Sequence, residues 1–196
     1  MKKQLILASQ SPRRREILET LGMEFSILVA DVDESSEITD PTRLVEELSL
    51  RKGRAVLERL QKEGRMTPDT VILSSDTVVA VDGEILGKPQ DHADAERMLR
   101  LLSGRTHRVI SGVAFHSLDK VGVAHEITEV EFAPMSESDI AYYLSSVEPY
   151  DKAGSYAIQG KAAMWIRGIR GDYFNVVGLP VHRMCRLYRE IFEENF

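Results

Sequence analysis

The residues able to do chemistry in this chain gather in two stretches. One runs Ser74-Ser75-Asp76-Thr77-Val78-Val79-Ala80-Val81-Asp82-Gly83-Glu84-Ile85-Leu86-Gly87-Lys88-Pro89. Asp76 falls inside a β-rich run, where a carboxylate is costly to bury unless it is paired, hydrogen-bonded or bound to a metal. The Asp82-Gly83 pair signals a tight hairpin, and the return segment brings Glu84 and Lys88 back towards the aspartate. Either Asp76 is a catalytic carboxylate, or it caps a turn and Lys88 is solvated. The other stretch is Ser9-Gln10-Ser11-Pro12-Arg13-Arg14-Arg15. A hydroxyl-rich turn leading into a helix N-terminus aims backbone N–H groups and the helix dipole at an anion. That dipole disfavours three arginines in the first turn, a cost that an anionic ligand would offset. The plainer alternative is a solvated basic patch, salt-bridged to Glu16 and Glu19.

These residues need elements to hold them. Residues 3–8 read as a strand, and residues 13–21 as a helix closed by Gly22, with Ser11 as N-cap and Ile17, Leu18 and Leu21 facing inward. A second strand at 25–30 precedes an acidic loop, 31–37, in which Glu34 is the candidate to reach a metal. Asp40-Pro41-Thr42 opens a long helix to about residue 63. Lys52 lies among its charges and could face either solvent or the cleft, with spacing alone favouring solvent. Further helices are predicted at 91–102, 137–144 and 181–192, and strands at 105–115, 121–133, 162–167 and 172–177. Ser111-Gly112 marks a bulge or a close backbone approach. The segment 145–160 has little periodicity but concentrates Glu148, Tyr150, Asp151, Lys152, Tyr156 and Gln159, as functional loops do.

Composition narrows the class. The 196 residues are 43% hydrophobic and 29% charged, which suits one domain over 1–196 with a sizeable core, arranged as two lobes around a central cleft. The net charge of −6 and the lack of an extended basic stripe argue against nucleic acid as partner. The apolar run 5–8 is too short for a signal peptide or a membrane span, and the single cysteine, Cys185, fits a reducing cytoplasm. Cys185 lies in a helical apolar stripe and reads as structural, and His107 on a strand reads as a core or network histidine. The five histidines show no zinc spacing, and the P-loop, dinucleotide, nucleophile-elbow and zinc-protease motifs are missing.

What remains is an anion-binding turn, dispersed cations at Lys52, Lys88 and Lys152, and carboxylates at Asp76, Glu34 and Glu84. A hard Mg²⁺ or Mn²⁺ ion with a polyphosphate uses such parts. Each close cation–phosphate contact contributes about 4 kcal/mol gross at an effective dielectric near 20, before desolvation. A few local cations therefore outweigh a net charge spread over the surface.

Six blocks now stand together: Leu7-Ala8-Ser9-Gln10-Ser11-Pro12-Arg13-Arg14, Ser75-Asp76-Thr77-Val78-Val79, Leu86-Gly87-Lys88-Pro89, Ser103-Gly104-Arg105-Thr106-His107, the run from Asp151-Lys152-Ala153-Gly154 to Ile158-Gln159-Gly160, and Asn175-Val176-Val177-Gly178-Leu179-Pro180. In type and order they resemble the Maf family of nucleoside triphosphate pyrophosphatases over nearly the whole chain. The resemblance implies an α/β fold like that of the inosine triphosphate pyrophosphatases, an elongated mixed β-sheet with flanking helices around a deep cleft. It implies hydrolysis of a nucleoside triphosphate to the monophosphate and pyrophosphate, assisted by a divalent metal. Asp76 stands where the family has its proton acceptor. Ser9, Arg13, Arg14, Lys52 and Lys88 stand where it grips phosphate, and Glu34, with Asp76, where it places metal-binding carboxylates. Arg13, Thr77 and Gln159 resemble the branch acting on dTTP and UTP. The departures are Ser75, where Ala or Gly is usual and a hydroxyl could alter the base's hydrogen bonding, Gly53, where Ala is usual, and Ser155 and Ala157, where Ala and Gly are commoner.

The expected protein is a cytoplasmic dTTP/UTP pyrophosphatase that also clears modified pyrimidine nucleotides. It needs a divalent cation and is compatible with a homodimer, and neither nucleic acid nor membrane is a partner. A second reading is a nucleotide-binding regulatory protein tied to cell division, keeping the pocket without catalysis.

Overall fold

The computed structural model describes residues 3–147 and 149–194. Glu148, one of the acids expected to matter in the 145–160 segment, lies outside the described residues, as do Met1 and Lys2. In chain order the elements are β1 (Gln4–Leu7), α1 (Pro12–Thr20), β2 (Phe25–Ile27), α2 (Pro41–Lys62), β3 (Thr70–Val81), β4 (Glu84–Leu86), α3 (His92–Leu102), β5 (Thr106–His116), β6 (Val121–Phe132), α4 (Glu137–Ser146), β7 (Ile166–Arg170), α5 (Tyr173–Val177) and α6 (Val181–Phe192). The strands form one mixed sheet in the order β2-β1-β3-β5-β6-β7, with β4 paired to β3. The chain divides into two compact units, and the division falls inside β3 between Asp76 and Thr77, inside β5 between Ile110 and Ser111, and inside β6 between Glu126 and Ile127.

The first unit is built on parallel pairing. Strand β1 lies between β2 and β3, with Leu5 opposite Phe25 on one side and Ile6 opposite Ile72 on the other. The chain steps from β1 to β2 through α1, then crosses back through α2 to β3 on the other flank of β1. The connections thus diverge beyond the C-terminal end of β1, the place where open α/β sheets receive ligands. Helix α2 starts where its sequence predicts, because the Asp40 carboxylate accepts from the N–H groups of Thr42 and Arg43 at 3.0 and 2.9 Å, with Pro41 in the first turn. It buries Val56 and Leu60 against Ile6, Ala8 and Ile72. Elsewhere along α2 the approach to β5 is closer than any side chain allows. A β-carbon on Gly112 would stand 2.3 Å from the carbonyl oxygen of Val45, the close approach that Ser111-Gly112 signals in the sequence.

The second unit opens with the Asp82-Gly83 hairpin. Both turn residues take left-handed backbone angles (φ 49° and 83°), as a two-residue turn between β3 and β4 requires, and Val81 pairs with Glu84. The core collects Val79, Met98, Leu99, Phe132, Ile140 and Tyr143. Ser136 and Asp139 close a capping box at the start of α4. The strand pair expected at 162–167 and 172–177 is corrected. Residues Lys161–Met164 form a 3-10 turn, the strand begins at Ile166 and pairs with β6, and Tyr173–Val177 is a helical turn. There Asp172 accepts from the N–H of Phe174 at 2.8 Å, and this local side-chain bond overrides the β preference of Tyr173, Phe174, Val176 and Val177. The Glu84 carboxylate is held by Arg97 at 2.6 Å on the surface of this unit.

Two histidines sit in these cores. His107 and His116 are 1% and 3% exposed, and burial lowers each to about 4, with Arg54 adding to the effect at His116. Both are neutral in the fold at neutral pH. Unfolded, they regain an ordinary value near 6.5 and take up protons first as pH falls. Stability is therefore complete above pH 6.5 and drains away towards about pH 4, by up to about 3 kcal/mol for each histidine. Urea midpoints near pH 7.5 and pH 5 should show a smaller loss on acidification in a His116→Leu variant than in the unaltered chain.

Candidate active site

Alternation along β3 sorts its polar residues onto two faces. Ser74 and Asp76 point one way, towards α2, and the Ser74 hydroxyl donates to the Ser49 carbonyl at 2.7 Å. Ser75 points the other way. Its hydroxyl donates to the carbonyls of Gly112 at 2.7 Å and Gly178 at 3.2 Å, so it braces the strand and does not bond to Asp76. Three consecutive side chains thus serve one purpose: the serines hold the strand from both faces and the aspartate between them projects into the site.

Asp76 is 8% exposed, and its burial is compensated by Lys52. The Lys52 ammonium stands 2.5 Å from Asp76 Oδ1 and 3.0 Å from Glu34 Oε1. Lys52 therefore faces the site rather than solvent. Spacing misses this because Arg51 and Arg54 on the same helix obscure the polarity of the face. Arg51 donates to the backbone carbonyls of Asp33 and Ser35 at 2.6 and 3.0 Å, which seats the exposed acidic loop with Glu34 in reach of Lys52.

The turn after β1 supplies more positive charge. Ser11 is the N-cap of α1 but its side chain makes no capping bond; instead its backbone N–H donates to Ser9 Oγ at 3.2 Å. Arg14 folds back over the same hydroxyl, with Nη1 3.1 Å from Ser9 Oγ and Nε donating to the Gly178 carbonyl at 2.7 Å. Burial lowers Arg14 to about 10, against the opposing pull of Asp76, with Arg13 lowering it further and Glu34 raising it. It remains charged at neutral pH. Arg13, Arg14, Glu34 and Asp76 thus share one electrostatic field with Lys52, in which three cations stand near two carboxylates. This is the local positive excess a polyphosphate requires, inside a chain of net charge −6.

The structure brings together Ser9, Arg13, Arg14, Glu34, Lys52 and Asp76 within the first unit. Thr77, Lys88 and Gln159 belong to the second unit: Thr77 half-buried on β3, Lys88 exposed after β4, and Gln159 exposed in the turn 157–160. Lys152 is paired with the neighbouring Asp151. Two contributors carry no chemical signature in the sequence. One is the Gly178 carbonyl, which accepts from both Ser75 and Arg14; the only signal was its place in the block Asn175 to Pro180. The other is Gly53, which lets the helix bearing Lys52 lie against β5. A β-carbon there would be 2.3 Å from His116 Nδ1 and 2.8 Å from Ser74 Oγ. The imidazole of His116 fills the space a methyl group would need, which accounts for glycine at 53.

Comparison with known proteins identifies the family. Residues 4–191 match the family model described as Maf-like protein. The chain is 52% identical over 185 residues to a dTTP/UTP pyrophosphatase of Symbiobacterium thermophilum, covering 94% of this chain and 92% of the relative. It is 45% identical over 185 residues to a dTTP/UTP pyrophosphatase of Bacillus cereus, covering 94% and 88%.

The position of Lys52 should be sensitive to its neighbour. A Gly53→Ala variant is expected to lose about 2 kcal/mol of stability as α2 and His116 move apart. Because misplacement by about 1 Å can cost a hundredfold, kcat should also fall at least about tenfold. Steady-state kinetics with UTP beside urea titration would check both.

Proposed function

Since this chain belongs to the Maf family, we propose that it is a nucleoside triphosphate pyrophosphatase converting dTTP and UTP to the monophosphate and pyrophosphate. Modified pyrimidine nucleotides fall within the same reading. The observation that carries the mechanism is the buried Asp76 carboxylate with the Lys52 ammonium 2.5 Å from one of its oxygens. Such a pair presents a fixed carboxylate, the geometry that general base catalysis needs first. Asp76 takes a proton from water while the water oxygen attacks the α-phosphorus. A new P–O bond forms, the bond from the α-phosphorus to the bridging oxygen breaks, and pyrophosphate leaves with that oxygen. Ser9, Arg13, Arg14, Lys52 and Lys88 hold the phosphates, stabilising the charge that moves onto the leaving group. Thr77, Gln159 and Arg13 select the base.

The residues fit a divalent cation. Asp76 and Glu34 are hard oxygen donors that already face one positive group. Among the described residues no group of three or more His, Cys, Asp or Glu side chains is placed to hold a metal ion, so Asp76 and Glu34 would act as a carboxylate pair. Mg²⁺ and Mn²⁺ sites of this kind take their remaining oxygens from water and substrate phosphates. Asp76 and Glu34 would hold the ion, which would draw charge off the triphosphate. We place the enzyme in the cytoplasm, as its lone cysteine suggests. No helix among the described residues is long and apolar enough to cross a membrane.

An Asp76→Asn variant should lose about a thousandfold in kcat while its circular dichroism stays that of the folded parent, with a lowered melting temperature because Lys52 loses one of its two carboxylate partners. Near-parental turnover would remove Asp76 as base. With UTP labelled in the nucleoside, the products should be UMP and pyrophosphate. Release of UDP and orthophosphate would rule out the reaction class.

A further inference from the structure

The loop that carries Gln159 is fastened in an unusual way. Gly154 and Ser155 both adopt left-handed backbone angles, φ 68° and 67°. For a serine this conformation is strained, and Ser155 is fully buried. Strain of this kind persists only where the surroundings impose it. Three contacts do so here. The Gly154 N–H donates to the Gly87 carbonyl at 3.0 Å, tying the loop to the residue before Lys88. Gly154 lies so close to Val79 that a β-carbon would come within 2.9 Å of it. Lastly, the Tyr156 hydroxyl meets His107 Nε2 at 2.7 Å inside the core, with Phe132 edge-on to both rings at 4.8 and 5.0 Å.

The last contact joins two neutral groups. Burial lowers the imidazole to about 4 and raises the phenol above its ordinary range, so the bond neither gains nor loses a proton across neutral pH. Beyond Tyr156 the chain leaves the core at once. Gly160 N–H closes a turn on the Ala157 carbonyl at 3.2 Å, and Gln159 is exposed within it. Tyr156 is thus the last deeply buried anchor before Gln159.

A carboxamide has a donor end and an acceptor end. Uracil and thymine offer a carbonyl at C4 and an N3–H, whereas cytosine offers an amino group and a bare N3. An amide free to turn over satisfies either edge, so discrimination needs the amide held one way round. We infer that His107 and Tyr156 are positioning residues for nucleobase selection: their buried hydrogen bond pins the strained loop so that Gln159 presents one orientation to the base. This rests on the reading above, in which Gln159 faces the nucleobase.

The experiment compares kcat/KM for UTP and CTP, together with inhibition by inorganic tripolyphosphate, in the parent, Gln159→Ala, Tyr156→Phe and His107→Gln. Tripolyphosphate has no base and reports the phosphate grip alone. Tyr156→Phe keeps the ring and removes only the hydroxyl, and His107→Gln disturbs the same bond from the other side. The expected result is a UTP-to-CTP ratio about tenfold lower in Tyr156→Phe, through a raised KM for UTP, with tripolyphosphate inhibition unchanged. His107→Gln should move the ratio in the same direction. If Gln159→Ala lowers the ratio but both core variants leave it intact, the pin is wrong and the base-reading role stands. If Gln159→Ala itself leaves the ratio unchanged, the base-reading role falls and this inference with it. An equal loss for UTP, CTP and tripolyphosphate would mark a general loss of structure and overturn the positioning role.

Discussion

One ammonium group held between two carboxylates is the interaction on which the site depends. Asp76 is buried on a central strand, and a lone buried carboxylate would be costly enough to favour either protonation or a rearranged strand. Lys52 removes that cost by placing its charge at 2.5 Å, and Glu34 balances the lysine in turn. Breaking a buried pair by removing one partner typically costs about 3–5 kcal/mol, because the other charge is left behind. Each of the three groups is therefore held in place by the others, and they come from three separate segments: a loop, a helix and a strand.

That arrangement constrains the scaffold as well. Lys52 reaches Asp76 only because α2 lies unusually close to β3 and β5, and the closeness rests on missing side chains rather than on added ones. Gly53 and Gly112 leave no room for even a methyl group against His116 and Val45. The hydroxyls of Ser74 and Ser75 then fasten β3 to its neighbours on either side. Small residues and short polar bonds do here what large apolar side chains do in the second unit, where aromatic rings such as Phe132 and Tyr143 fill the core.

Much of this was legible in the sequence. Asp40-Pro41 marks the start of α2, Asp82-Gly83 the hairpin, and the apolar stripe of 181–192 the last helix, because each depends on local chemistry. The turn after β1, with Ser11 as N-cap and Pro12 opening α1, was legible for the same reason. What escaped was set by distant partners. Lys52 looked solvated because its partner Asp76 is 24 positions away. Ser75 looked able to perturb the aspartate, yet strand alternation gives its hydroxyl to backbone carbonyls instead. The 172–177 segment is the exception: it read as strand because its side chains favour one, while a local bond from the Phe174 N–H to the Asp172 carboxylate turns it into a helical turn. The role of the Gly178 carbonyl had no signal in side-chain chemistry, since a backbone acceptor looks the same at every position.

That carbonyl has a consequence for how activity arises in time. It accepts from Arg14 across 164 positions and from Ser75 across 103. Before residue 178 arrives, the guanidinium that leans over Ser9 lacks the acceptor that aims it, and the Ser75 hydroxyl on β3 lacks one of its two acceptors. During synthesis, where N-terminal segments emerge first, the turn after β1 and strand β3 leave the ribosome well before the acceptor that fastens them. One backbone acceptor near the C-terminal end therefore secures both the turn after β1 and strand β3.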